Sequence, residues 1–105
     1  LGVAYKQDID DYRESPALKV IKILEEHNAD VTYYDPFVAK YSYKGECKES
    51  INGLSKEVLE EADLVIITTA HTTVDYSFVQ KHAKAIFDTK NVMKSILNRE
   101  NIDVL

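Results

Sequence analysis

The side chains able to do chemistry in this sequence stand at the ends of its apolar runs. Tyr5 and Lys6 follow one run, Asp35 a second, Thr69 to His71 a third and Lys90 a fourth. The ammonium groups of Lys6 and Lys90 suit anionic or carbonyl oxygens, and a guanidinium such as that of Arg13 suits a phosphate in two-point contact. The imidazole of His71 suits either proton transfer or the hydrogen bonding of a loop. Arg13 stands among Asp8, Asp10 and Asp11, so it is either paired with them or aimed at a phosphate.

Other chemistries find little support. A glycine-rich G-x-G-x-x-G cradle for a pyrophosphate is absent, and the chain has only 3 glycines. Asp8, Asp10 and Asp11 would repel a pyrophosphate placed on the first helix; their plainer reading is a solvated acidic loop suited to that helix's positive end. Asp35 falls where nicotinamide-binding folds keep a ribose-binding acid, but without the glycines the Asp35-Pro36 turn explains it better. His27 and His82 fall at helix C-terminal ends and need no function. Cys47 has no neighbouring His or second Cys, which argues against a nucleophile or a metal ligand. Tyr33, Tyr34, Tyr41 and Tyr43 read as packing rather than a base-stacking platform.

These residues must be positioned by the elements between them. Residues 1–5 are apolar and read as a short strand, the tail of one whose beginning has been cut away, as in a domain excised from a longer protein. Ser15 and Pro16 are a helix start, and Ala17, Val20, Ile21 and Leu24 recur at helical spacing until about His27-Asn28. "VTYYDP" (31–36) reads as a second strand, and 37–54 as a long loop with room for a small extra turn. Ser55 caps a short helix through Ala62; "DLVIITTA" (63–70) is a strand buried on both faces; 75–83 is a helix with Phe78, Val79 and His82 on one side. "AIFDT" (85–89) and "IDVL" (102–105) complete the set, the last at an edge. The alternation predicts an α/β, three-layer sandwich whose mainly parallel sheet centres on 63–69. Ligands of such sheets sit beyond the carboxyl ends of the strands, where Tyr5, Lys6, Asp35, Thr69–His71 and Lys90 all fall.

Composition narrows the partners. A chain of 105 residues is one domain's worth. A net charge of −5 disfavours nucleic acid or an anionic membrane as the main partner. No apolar run reaches the ~20 residues of a membrane span. The single cysteine excludes an internal disulfide and suits a reducing cytoplasm.

The segment "GVAYKQDIDDYRESPAL" (2–18) resembles the C-terminal domain of the UDP-glucose/GDP-mannose dehydrogenase family, whose signature runs G-[LF]-A-[FY]-K and, several residues on, D-x-R-E-S-P-A. "YYDPFV" (33–38), "ADLVIITTAH" (62–71) and "IFDTKNV" (86–92) match in the same order. Within the family, "DYSFVQKHAKAIFDTKNV" is most similar to bacterial UDP-N-acetylglucosamine 6-dehydrogenases. The resemblance implies a Rossmann-like domain that grips the UDP part of a UDP-sugar. An N-terminal domain holding NAD and a core carrying the catalytic cysteine would lie upstream. The reaction it implies oxidises the C6 alcohol twice, to a carboxylate, consuming two NAD, in a cytoplasmic homo-oligomer. It places Tyr5 and Lys6 at the UDP-sugar and Arg13 across the cleft toward NAD. Lys90 lies where relatives often use arginine near the substrate, a departure that weakens any two-point contact. Cys47 has no counterpart in the catalytic role, so this chain alone carries no catalytic residue. Two other readings share the pattern. In a phospho-acceptor receiver domain the third strand would end in an aspartate, where "TTAH" stands. A non-catalytic interaction domain would use the same fold without a nucleotide.

Overall fold

Ser15 opens helix α1 (Pro16–Glu26) as expected: its hydroxyl accepts from the Ala17 N–H at 3.3 Å, and Pro16 takes the first turn, where a missing N–H is harmless. The computed structural model describes residues 1–105. After α1 come β1 (Lys40–Tyr43), β2 (Glu46–Glu49), α2 (Lys56–Glu61), β3 (Val65–Ile67), α3 (Tyr76–His82), β4 (Ile86–Asp88) and β5 (Ile102–Val104). Strands β3, β4 and β5 form a parallel sheet in that order, with β5 at its edge. Ser55 and Asp75 cap α2 and α3 through the N–H groups of Val58 and Phe78.

The α/β architecture with a parallel sheet is as the alternation predicts, while two of its expected strands are irregular. Residues 1–5 and 31–36 make only scattered ladder bonds. The Leu1 amine donates to the Ile66 carbonyl at 2.6 Å, Thr68 N–H to the Leu1 carbonyl at 2.9 Å, and Gly2 N–H to the Tyr34 carbonyl at 3.0 Å. Side chains take the other backbone groups: Asp35 binds the N–H of Val3 and Ala4, and Ser50 that of Asp35. These bonds still fix the lateral order 31–36, 1–5, β3, β4, β5. Chain order reverses between residues 1–5 and β3, and at such a switch point open α/β sheets form a crevice.

The segment 37–54, expected as a loop, contains an antiparallel hairpin, β1 against β2, with Tyr43 opposite Glu46. Lys44 and Gly45 make its two-residue turn, both at positive φ (48° and 81°), as a primed turn requires. Tyr41 is buried on its inner face, with ring centroids 5.3 Å from Tyr33 and 6.0 Å from Tyr12. The tyrosines therefore pack, as the sequence suggests.

Two apolar cores hold the layers together. One joins Val3 and Ala4 to Ala17, Leu18 and Ile21 of α1 and to Tyr33, Val38 and Tyr41. The other joins Leu59 of α2 and Val79 of α3 to Val65, Ile67, Ile86 and Met93. No helix is long and apolar enough to cross a membrane.

Gly2 is where the first segment meets β3. Its φ is +88°, and a Cβ there would lie 2.5 Å from Thr69 Cβ and 2.7 Å from the Thr69 carbonyl oxygen. Both the backbone conformation and the space exclude a side chain. Gly2→Ala is expected to cost about 2–4 kcal/mol through the combined strain and overpacking, read as a lower thermal midpoint of the protein. A midpoint within a degree of the parent's would refute it.

Candidate functional site

The carboxyl ends of residues 1–5, 31–36 and β3 are tied together by buried polar groups. Asp35 is the centre. Its Oδ2 accepts from the N–H of Val3 (2.8 Å) and Ala4 (3.1 Å), and its Oδ1 from those of Phe37 (2.8 Å) and Val38 (3.1 Å). The ring of His71, itself fully buried, reaches the same Oδ2 through Nε2 at 2.8 Å. His71 Nδ1 accepts from the Asp8 N–H at 2.8 Å, so the ring proton sits on Nε2 and His71 donates to Asp35. Thr69, also buried, donates its hydroxyl to the Ala4 carbonyl at 2.7 Å. With both ring nitrogens engaged and no solvent contact, His71 is a hydrogen-bonding loop residue rather than an exposed base. Asp35 owes its place to the Asp-Pro turn and to these donors.

The acidic loop is more ordered than a solvated loop would be. The Asp8 carboxylate takes the Thr72 N–H at 2.8 Å and its hydroxyl at 2.7 Å, and the Thr72 bonds hold its pKa below the ordinary carboxylate value. Asp11 binds Arg13 at both oxygens, Nε at 3.0 Å and a terminal nitrogen at 3.1 Å, which lowers the Asp11 pKa and raises that of Arg13. Of the alternatives for Arg13, pairing within the loop is the one this chain adopts. Its side chain is nevertheless 83 % exposed, so the pair lies in solvent, where a partner can displace it.

Tyr5 and Lys6 lie on this loop and are exposed, Tyr5 at 51 %. The Tyr5 N–H donates to the Asp11 carbonyl at 2.8 Å, which folds the loop back on itself. Lys6 forms no ion pair, and of the loop's acids Asp8 is turned to Thr72 and Asp11 to Arg13. Lys90 is exposed in the turn after β4. Its N–H, with those of Val92 and Met93, is held by the buried carboxylate of Asp88. The structure thus knits Tyr5, Lys6, Asp35 and Thr69–His71 into one edge, with Lys90 at the end of a neighbouring strand of the same sheet. Asp88 was not legible as a turn-holder; its position at the end of an apolar strand before Thr-Lys-Asn was the available signal.

A cleft of about 560 Å³ is lined by Val20, Ile21, Val31, Val58 and Leu64 among others. None of Tyr5, Lys6, Arg13 or Lys90 lines it. No group of three or more His, Cys, Asp or Glu is arranged to hold a metal. Of the acids that a receiver domain would turn to a cation, Asp8 is instead bound to Thr72 and Asp11 to Arg13.

Comparison with known proteins fits this geometry. Residues 1–95 match the model of the UDP-glucose/GDP-mannose dehydrogenase family's UDP binding domain. The chain is 34 % identical over 97 residues to a UDP-N-acetyl-D-mannosamine dehydrogenase of Methanococcus maripaludis, covering 91 % of this chain and 23 % of that protein. It is 31 % identical to a UDP-glucose 6-dehydrogenase of Rickettsia bellii, covering 90 % and 24 %. The solved structure of the UDP-D-ManNAc dehydrogenase from Pyrococcus horikoshii superposes with a TM-score of 0.73 at 30 % identity, over 98 % of this chain and 23 % of that one. The chain therefore spans under a quarter of the length of these relatives.

Proposed function

We propose a function from one premise: the chain belongs to the UDP-glucose/GDP-mannose dehydrogenase family, whose UDP-binding domain it matches. In the full-length enzyme this domain grips the UDP moiety of a UDP-sugar whose C6 alcohol is oxidised in two steps to a carboxylate. The first step releases a hydride and a proton; the second takes up one water and releases a hydride and two protons. The carrying observation is the unpaired Lys6 beside Tyr5, at the switch point of the sheet, on a loop where Asp8 and Asp11 are bound elsewhere.

Lys6 supplies charge and donors to an anionic or carbonyl oxygen, and Tyr5 covers a face of the ligand and limits its hydration. Lys90 adds a second positive charge as a point contact. For NAD the fit is partial. No pyrophosphate cradle exists here, and the first helix is preceded by acids, so the hydride acceptor is held mainly by the upstream domain. Arg13 alone is suited to reach it, by exchanging Asp11 for a phosphate or amide across the cleft. The catalytic cysteine likewise belongs to upstream sequence, in a cytoplasmic homo-oligomer.

The proposed sugar class rests on the sequence resemblance and the relatives together. The sequence points to UDP-N-acetylglucosamine, whereas the Methanococcus and Pyrococcus relatives are named for the C2 epimer, UDP-N-acetylmannosamine. Both are UDP-N-acetylhexosamines, and we take that class as the substrate, with the gluco epimer preferred. Turnover of the two epimers and of UDP-glucose by the full-length enzyme decides the matter; faster oxidation of the manno epimer would reverse the preference.

The role of Arg13 has its own test. Arg13→Ala in the full-length enzyme should raise KM for NAD about tenfold to a hundredfold, the loss of one charge-assisted bond, and that for the UDP-sugar much less. An unchanged NAD dependence would rule the role out.

A further inference from the structure

Tyr5 and Lys6 belong to no helix or strand, so their position depends on what holds the loop at either side. On the amino side, Asp35 Oδ2 fixes the N–H of Val3 and Ala4, and Thr69 fixes the Ala4 carbonyl. On the carboxyl side, His71 Nδ1 fixes the Asp8 N–H at 2.8 Å while Thr72 binds both Asp8 oxygens. The two anchors are one unit, because His71 Nε2 lies 2.8 Å from the same Asp35 oxygen. Asp8 sits at φ 61°, a left-handed conformation that an aspartate tolerates and that this pair of bonds secures. His71 is locked from the other directions as well: its ring centroid is 4.8 Å from that of Phe37, and its carbonyl accepts from the Tyr76 hydroxyl at 2.8 Å.

We infer that His71 is a positioning residue for nucleotide binding: bridging Asp35 to the Asp8 backbone, it sets the span from which Tyr5 and Lys6 are presented. The inference rests on the proposed UDP-sugar contact of those two residues. It requires a neutral ring with Nδ1 free to accept and Nε2 to donate, a division of labour that two amide side chains can separate. An asparagine at 71 places its oxygen close to where Nδ1 stands and keeps the acceptor for Asp8; it gives up the contact to Asp35, whose carboxylate four backbone N–H groups still hold. A glutamine reaches Asp35 with its amide nitrogen but lacks the acceptor next to Asp8.

The test uses the full-length enzyme, titrated calorimetrically with UDP, alongside steady-state kinetics with the UDP-sugar and NAD. His71→Gln should weaken UDP binding and raise KM for the UDP-sugar about tenfold, with KM for NAD within twofold, and His71→Asn should recover most of the loss. Thr72→Val, an exposed and nearly isosteric change, removes one of the Asp8 bonds without disturbing the buried site and should weaken UDP by a factor of about three. It answers the question if the His71 variants do not fold. Equal losses in Asn and Gln, an equal loss for NAD, or unchanged UDP affinity in Thr72→Val would overturn the inference. Lys6→Ala separates the two levels. If it weakens UDP while His71→Gln does not, only the positioning role is wrong; if Lys6→Ala leaves UDP affinity intact, the nucleotide site itself is wrong.

Discussion

Replacing Lys6 by alanine in the full-length enzyme is expected to raise KM for the UDP-sugar about tenfold to a hundredfold and leave the protein folded. The loop places Lys6 in solvent beside Tyr5, in no ion pair, so its charge is available to a ligand. One charge-assisted hydrogen bond to a phosphate or carbonyl oxygen contributes about 1.5–3 kcal/mol, which sets the size of the effect. The competing account makes Lys6 a surface lysine paired with Asp8 or Asp10, worth at most about 1 kcal/mol and without kinetic consequence. That account loses ground because Asp8 is held by Thr72 and Lys6 has no ion pair. Lys6→Arg sharpens the test: it keeps the charge but changes donor geometry, so it should restore only part of the affinity. Wild-type kcat/KM for the UDP-sugar in Lys6→Ala would remove Lys6 from the binding machinery.

The parts of the fold legible in the sequence are those where side-chain pattern and backbone pairing agree. The run 63–70 reads as a strand because β3 lies inside the sheet, but only Val65–Ile67 pairs regularly with β4, and Asp63 and Leu64 ahead of it are exposed rather than buried on both faces. Ser15, Ser55 and Asp75 announce three helices because a capping oxygen must precede each one. Where side chains replace backbone partners, the pattern misleads. Residues 1–5 read as a strand from their apolarity, yet Asp35 takes two of their N–H groups and Gly2 turns to positive φ. The hairpin at 40–49 is not legible because Lys-Gly is a weaker turn signal than Asn-Gly or Asp-Gly, although Tyr41 and Tyr43 do alternate. At the site, the sequence located the edge and its cations, but not the network beneath them. Asp8, Asp35 and His71 are 27 and 36 residues apart along the chain, and only the fold shows that they share one chain of hydrogen bonds.

The largest loss of stability among single changes at this edge is expected at Asp35. Its side chain has no solvent exposure, and five donors converge on its two oxygens: four backbone N–H groups and His71. A buried carboxylate is tolerable only because those donors replace water. Asp35→Asn keeps the volume but has one accepting oxygen, so whichever way the amide turns, its NH2 faces at least two N–H groups. Each buried donor left unsatisfied costs about 1–3 kcal/mol, and breaking a buried charged contact about 3–5 kcal/mol, so a loss of about 3 kcal/mol or more is expected. For a domain of this size that corresponds to a fall of roughly 10–20 °C in its thermal midpoint. The damage should also be local. In the full-length enzyme, hydrogen exchange at the amides of Val3, Ala4, Phe37 and Val38 should accelerate well before α3 or β4 is affected. UDP affinity should fall with it, since the loop bearing Lys6 loses its amino-side anchor. Exposed Asp63→Asn serves as the control and should change neither. If Asp35→Asn matches that control in midpoint and in exchange at Val3 and Ala4, the carboxylate is not what fastens residues 1–5 to the sheet.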